Sequence, residues 1–479
     1  MGNVRNALLR DALRQYCKEA LILLDERVKA REDVPVVYKV RSYAIAEPGM
    51  LRQWVDEGEE VEWGKLVDRN WEHLRNISTF RPAIRALEGD EQAAKHLGVR
   101  VSTCWSTGTL YADIDVLYSL LRQLLHEQED LGFRDEIFNR IYRKIEDYFY
   151  RDVIEYRLLS PLGKFRMKAT RIELGSRFSL IRIPEREERQ NSLSEPSGFP
   201  SFRSLLFQEA AFGKCALELC VRVPKVIGDA TQTLHGDSPD QIARATFQEA
   251  CSVLRLFKNG NVGHEYILAE PKSWTPGIGV LSLPASGPQP SHGEAYALSS
   301  EAEIGRFLGF WQQYEKNRKA MREAKGKDKD SARVEVALRR FNLGYERARL
   351  EDMLIDYAIG FESLLLGGAQ QELGYRMALR GAALLGKAHS ERKEIFHDLK
   401  TAYDVRSRIV HGSVPAPEEP VKVGDRVMQF DEFVAIVEGH LRYTIREFLD
   451  LFDSRRSQKD LLDDLDEKIA SGFEVREKS

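Results

Sequence analysis

The sequence has 479 residues, 30% of them charged, and its 71 Lys+Arg against 75 Asp+Glu leave a formal charge of −4. That balance excludes the global basic excess of a general nucleic-acid coat. A hydrophobic content of 43% excludes an intrinsically disordered chain, and the length suits two to four domains at roughly 100–200 residues each.

The opening stretch, MGNVRNALLRDALRQYCKEALILL, carries charges throughout and lacks the uninterrupted apolar core of a secretory signal. Its Met-Gly start is followed by Asn6 where a myristoylation signal has Ser or Thr. Within residues 2–31, Leu9, Leu13, Tyr16, Ala20 and Leu24 recur at three- and four-residue spacing, which predicts one buried face of an amphipathic helix. Beyond Pro35 the pattern is irregular until a long helical stretch from about Asp113 to Tyr150, where Phe138, Ile141, Ile145 and Phe149 share a face. Residues 1–150 therefore read as a mainly helical region.

Residues 151–293 change character. Val153–Leu159, Phe165–Leu174, Arg177–Ile183 and Cys215–Val223 read as strands, being rich in β-branched, aromatic or alternating positions with turn residues between them. A helix over Gln241–Phe257 interrupts them, and strands resume at Tyr266–Ala269 and Val280–Leu283. Two punctuated loops, Glu185–Pro200 and Ser273–Gly293, flank this β-rich module. Residues 300–455 read as an all-α bundle and 456–479 as a charged C-terminal tail, so the fold class is α+β and multidomain. Gln313–Arg340 holds ten Lys or Arg against five acids, a locally basic stretch that reads as a solvated helix pair or as an electrostatic track for a polyanion. No apolar run approaches the ~18–20 residues of a membrane helix. The five cysteines, Cys17, Cys104, Cys215, Cys220 and Cys251, are scattered as buried thiols of a reducing compartment would be. A cytoplasmic protein with no membrane partner is expected.

Several chemistries are missing. GxxxxGK[ST], HExxH, paired CxxC and GxGxxG fingerprints are absent, which removes the common nucleotide-hydrolase, zinc-protease and dinucleotide readings. Cys215 and Cys220, five apart in a strand, point to opposite faces and do not share a metal. WSTGT (Trp105–Thr109) lacks the flanking glycines of a nucleophile elbow. No cofactor and no metal site is expected.

The C-terminal helices carry misplaced charges. A helix over Val334–Leu366 has Leu350, Leu354, Tyr357, Phe361 and Leu365 on one stripe and Ile355, Ile359 and Leu366 on a second, with Glu362 inside the second. A carboxylate there is expensive unless a cation meets it. A helix over Glu372–Leu385 carries Arg376 and Arg380 one turn apart. Ser390 is placed to cap a third helix, Glu391–His411, which Gly412 closes. Along it Ile395, Leu399, Ala402 and Ile409 form an apolar seam, and Arg406 completes the rhythm between the last two. That guanidinium demands a partner such as Glu362, a subunit interface or a bound anion. His411 ends the same helix, where the helix dipole favours a protonated imidazole. Arginine binds and stabilises phosphate while histidine moves protons, so the pair suits phosphodiester chemistry. Five residues at about 100° each leave Arg406 and His411 about 140° apart on an ideal helix, so a shared site needs a distorted last turn or a second subunit.

The string Tyr403–Gly412 (YDVRSRIVHG) resembles the Arg-x4–6-His motif of HEPN domains, the higher eukaryotes and prokaryotes nucleotide-binding superfamily. The preceding RLEDMLIDYAIGFESLLLGG and ELGYRMALRGAALLG are similar to the first helices of the ApeA-like subgroup, so the likeness covers about Glu335–Asp450. LRLFKNGNVG (Leu254–Gly263) resembles the β-rich segment found ahead of such domains. Arg392 and His397 repeat the spacing one helix face earlier and read as solvated. The resemblance implies a helical bundle that dimerises with its motif helices facing, a metal-independent endoribonuclease, and a role as an effector of antiphage defence by abortive infection. It implies that Arg406 stabilises the scissile phosphate and His411 transfers protons, with Ser407 and Glu362 orienting them. Arg408 and Arg380 are candidate RNA contacts. RNA, including tRNA, a second copy of the chain, higher oligomers and a phage-derived trigger sensed by the preceding modules are the partners it suggests. The alternative reading is a non-catalytic HEPN scaffold that dimerises and binds nucleotide or RNA.

Overall fold

The computed structural model describes residues 4–32, 34–43, 52–61, 63–102, 107–163, 165–183, 215–228, 239–264, 266–272, 281–284, 295–324, 329–367, 371–412, 420–454 and 456–471. The expected loop Glu185–Pro200 and Cys104 lie outside these residues, as does the expected loop Ser273–Gly293 apart from 281–284. The chain is an α+β protein with an N-terminal helix, a β-rich middle sheet and a mostly helical C-terminal region. It forms two compact units, one of Met1–Leu158, Cys220–Pro239 and Leu268–Ser282, the other of Leu159–Leu219, Asp240–Ile267 and Leu283–Ser479.

In the first unit, α1 (Ala7–Lys29) buries Leu9, Leu13, Tyr16, Ala20 and Leu24, the face read from the spacing. Asn6 caps it by accepting from the Leu9 amide at 3.0 Å, and buried Glu146 accepts from the amides of Arg5 and Asn6 at 2.8 and 2.9 Å. Glu146 sits on α6 (Asp135–Tyr150), after β1 (Val36–Tyr43), β2 (Arg52–Val61), α2 (Trp63–Leu74), α3 (Phe80–Gly89), α4 (Glu91–Ala94), β3 (Arg100–Ser102), β4 (Thr107–Thr109), a π-helical turn at Ala112–Leu117 and α5 (Tyr118–Gln128). The antiparallel β1–β2 hairpin adds strand to a region read as mainly helical.

The middle sheet is built from β5 (Val153–Gly163), β7 (Arg171–Gly175), β8 (Phe178–Arg182), β9 (Cys215–Pro224), β12 (Tyr266–Pro271) and β13 (Leu281–Pro284) in the order β13-β12-β5-β9-β8-β7, with β11 (Gly263–His264) also on β5. Its terminal strand β7 alternates exposed and buried positions, whereas β8 is buried along nearly its whole length, as a more interior strand should be. Shorter strands β6 (Phe165–Met167), β10 (Val226–Ile227) and β14 (Tyr296–Leu298) pair outside this path. Helix α7 (Pro239–Phe257) buries Ala243, Phe247, Ala250, Cys251 and Leu254, and Phe247 meets Phe178 of β8 with ring centroids 6.1 Å apart.

The bundle holds α8 (Glu301–Ala324), α9 (Lys329–Glu346), α10 (Leu350–Leu365), α11 (Leu373–Leu385), α12 (His389–Val410), α13 (Phe430–Ser454) and α14 (Gln458–Ala470), with a small hairpin of β15 (Val421–Val423) and β16 (Arg426–Met428) before α13. The single helix expected over Val334–Leu366 is two helices, broken at 347–349. Arg340 and Arg347 both reach the buried carboxylate of Asp356 at 2.7 Å, which locks the reversal. The hairpin is tight because Gly344 leaves no room for a side chain: a Cβ there would come within 2.2 Å of the Tyr357 ring. Helix α13 is the spine, burying Phe433, Val437, Leu441, Ile445 and Phe448. The stretch read as a charged tail contains α14, which buries Leu462 and Leu465. Among the described residues no helix is long and apolar enough to cross a membrane.

Candidate functional site: the Arg406 helix

Helix α12 starts one residue before the expected cap. Ala388 occupies the cap position, and Glu391 reaches back to accept from the amides of Lys387 and Ala388 at 2.8 and 3.1 Å, so a carboxylate does the work assigned to Ser390. The buried seam is Ile395, Leu399, Ala402 and Val405, with Asp398 beside it. Val405, not Arg406, completes the apolar rhythm, and Ile409 is only half-buried.

Arg406 therefore flanks the seam. Its side chain is 25% exposed and its Nη2 lies 3.8 Å from Oε1 of Glu362 on α10, the partner expected from the sequence. The Arg406 Nε is buried with no hydrogen-bond partner among the described residues. Burial raises the Glu362 carboxyl above its ordinary value, and the Arg406 charge opposes that shift. The result is a guanidinium held at the edge of the bundle by one long ion pair, with donors left over.

His411 is the exposed residue that ends α12, its amide bonded to the Ser407 carbonyl at 3.1 Å. Gly412 follows at φ +86°, the left-handed conformation that stops a helix. The helix is regular through Val410, so the last turn does not swing His411 towards Arg406: one faces α10 and the other faces outward. Ser407 is half-buried and Arg408 exposed.

Arg380 is not available to RNA. It is 7% exposed, donates to Asp466 of α14 through Nε at 2.8 Å and Nη2 at 2.6 Å, and donates through Nη1 to the Leu365 carbonyl at 2.6 Å. It is a bidentate clamp that also satisfies the C-terminal end of α10. Arg392 and His397 are half-buried as well, and Arg392 donates to the Lys387 carbonyl at 2.7 Å, so that repeat of the spacing is structural and not a solvated face.

The basic stretch Gln313–Arg340 is largely committed to ion pairs. Arg318 meets Glu249 at 3.2 Å and Glu335 at 2.7 Å, and Arg322 meets Glu249 at 3.1 Å. These groups line a cavity of about 550 Å³ that also takes in Arg255 and His264, where burial and the charges of Arg255 and Arg244 push the imidazole down to about 4. Two buried polar clusters were invisible as partnerships in the sequence. Asp398 accepts from His440 at 3.0 Å and from Arg426, while Glu438 joins Arg442 and accepts from the Tyr345 hydroxyl at 2.7 Å. The i,i+4 spacing of Glu438 and Arg442 on an apolar helix is the signal that would have found the second. No group of three or more metal-ligating side chains occurs among the described residues. No protein-family model matches the chain, and neither a curated protein nor a solved structure matches it.

Proposed function

We propose that the chain is a HEPN-type, metal-independent endoribonuclease, acting in the cytoplasm as an effector of antiphage defence. The observation that carries this reading is Arg406, a guanidinium positioned by Glu362 at 3.8 Å yet holding a buried Nε without a partner, five residues before an exposed His411. A phosphate would take up the spare donors of Arg406 and draw it from its weak ion pair.

In this mechanism the ribose 2′-OH attacks the adjacent phosphorus and the bond to the 5′-oxygen breaks. The products are a 2′,3′-cyclic phosphate and a 5′-OH, the proton lost by the 2′-oxygen being balanced by one gained at the 5′-oxygen. Arg406 stabilises charge on the phosphorane, and His411 carries the proton. Because Arg406 and His411 lie about 140° apart on one helix, the active cleft pairs Arg406 of one protomer with His411 of its partner in a homodimer. Ser407 orients the cleft, Arg408 supplies exposed charge, and the modules before residue 300 restrain the nuclease until a trigger arrives.

The intrachain Arg406–Glu362 pair also favours a second reading, a non-catalytic bundle in which Arg406 is structural. Incubation of the purified protein with tRNA or total RNA in EDTA separates the two. The nuclease reading expects cleavage that Arg406→Ala and His411→Ala each reduce by at least about 100-fold, given what removal of one transition-state donor or one acid–base group costs. The scaffold reading expects no cleavage, and loss of dimer or solubility in Arg406→Ala.

A further inference from the structure

The face of α12 that carries His411 continues towards α11 into a groove of about 480 Å³ lined by Glu372, Tyr375, Lys400, Tyr403 and Asp404. On an ideal helix Lys400 and Asp404 fall within about 20° of the azimuth of His411, and Asp404 lies about 10 Å along the axis from it. Arg406 is on the other side. The groove therefore sits beside the proposed reaction centre on the His411 side, away from the Glu362 pair.

Three features of the groove are unusual for an idle surface. Tyr375 is 51% exposed, and its ring is held edge-on against Phe396 at 5.6 Å and 79°, so a large aromatic is fixed with much of its surface in solvent. Glu372, which starts α11, has φ +54°, a left-handed conformation that a glutamate rarely adopts, and no side chain caps the helix there. Lys400 and Asp404 are exposed and make no ion pair among the described residues, although they stand one turn apart. Gly374 lets α11 approach closely: a Cβ there would come within 2.5 Å of the Tyr403 ring, so Tyr403 forms a firm wall.

We propose that this groove is a nucleobase subsite for single-stranded RNA, in which an amino-bearing base stacks on Tyr375 and donates its exocyclic amine to Asp404 while Lys400 meets the adjoining phosphate. An exposed aromatic beside a lysine suits an unstacked base, which single strands present and duplexes do not. The two carboxylates, Glu372 and Asp404, exclude a pure phosphate site, because they repel polyanions. A carboxylate accepts from the amino group of cytosine but has no donor to accept from on the corresponding edge of uracil. The groove thus sets which base flanks the cut, an inference that rests on the nuclease reading for its purpose but not for its measurement.

The test is fluorescence anisotropy with the full chain and fully 2′-O-methylated oligocytidylate and oligouridylate, which cannot be cut by 2′-OH attack. The wild type is expected to bind the cytidylate at least about threefold more tightly than the uridylate. Tyr375→Ala is expected to weaken binding of both about fivefold or more, as loss of one base–aromatic stack does, while Tyr375→Phe retains it. Asp404→Ala is expected to erase the preference for cytidylate. Equal affinity for the two oligomers, or unchanged binding in a Tyr375→Ala protein that keeps the wild-type melting temperature, overturns the proposal. Failure of the nuclease reading is a separate result: unmodified RNA left intact in EDTA by a protein whose binding still depends on Tyr375.

Discussion

Glu362 and Arg406 are each intelligible from what they touch. Glu362 lies in a half-buried position on α10 where desolvation disfavours its charge, and Arg406, at 3.8 Å, restores only part of the loss. A carboxyl raised in the folded state contributes stability that is complete below its unfolded value and is lost as pH rises through the folded one. Glu362→Gln has no charge to bury, so it should gain on the wild type with rising pH: the melting-temperature difference, variant minus wild type, is expected to be more positive at pH 7 than at pH 4. A difference that is flat or reversed would mean that attraction to Arg406 outweighs desolvation. At Arg380 the same kind of residue has the opposite fate. Its donors are spent on Asp466 and the Leu365 carbonyl, and Asp466 is held below the usual carboxylate range by that guanidinium. Both positions are arginines near apolar stripes, and only the partner's location in three dimensions separates a candidate phosphate binder from a clamp.

Helix α14 depends on that clamp. Gln458 at its start bonds the Ser363 carbonyl at 3.2 Å, its amide donates to Asp330 at 2.8 Å, and Arg380 grips Asp466 one face further along. Arg380→Ala is expected to destabilise the bundle by about 2–3 kcal/mol in urea unfolding, as for a lost charged hydrogen-bond set, and to leave RNA affinity unchanged. A large loss of RNA binding with stability intact would reverse the assignment. The elements with strong periodicity, α1 and the Ile395–Val405 seam of α12, were legible in sequence because one face of each is continuously apolar. The break at 347–349 was not, since Arg347, Ala348 and Arg349 include neither glycine nor proline, and the reversal depends on both Arg340 and Arg347 meeting Asp356. Helix α14 was hidden by its charge, and the short β15–β16 hairpin by its length. At the site, the Glu362–Arg406 partnership was readable from two charges on apolar stripes, whereas the Tyr375 groove was not, because it joins α11 to α12 across residues far apart in sequence.

Across the chain, a formal charge of −4 conceals local arrangements of both signs. The basic stretch that looked like a track for a polyanion is mostly neutralised within the fold by Glu249, Glu335 and Asp356. Exposed cations that remain beside the motif, Arg408 and Lys400, are few and local, which suits binding a short single strand better than coating a long nucleic acid. The proposed cleft needs two copies of α12, so its activity should track the dimer: dilution below the dimerisation constant is expected to reduce the rate per protomer. The most direct measurement is end-group analysis of RNA treated in EDTA with wild type, Arg406→Ala and His411→Ala proteins. The account predicts 2′,3′-cyclic phosphate and 5′-OH ends with the wild type and intact RNA with either variant. Ends bearing a 5′-phosphate, strict dependence on a divalent cation, or cleavage that persists in both variants would contradict it.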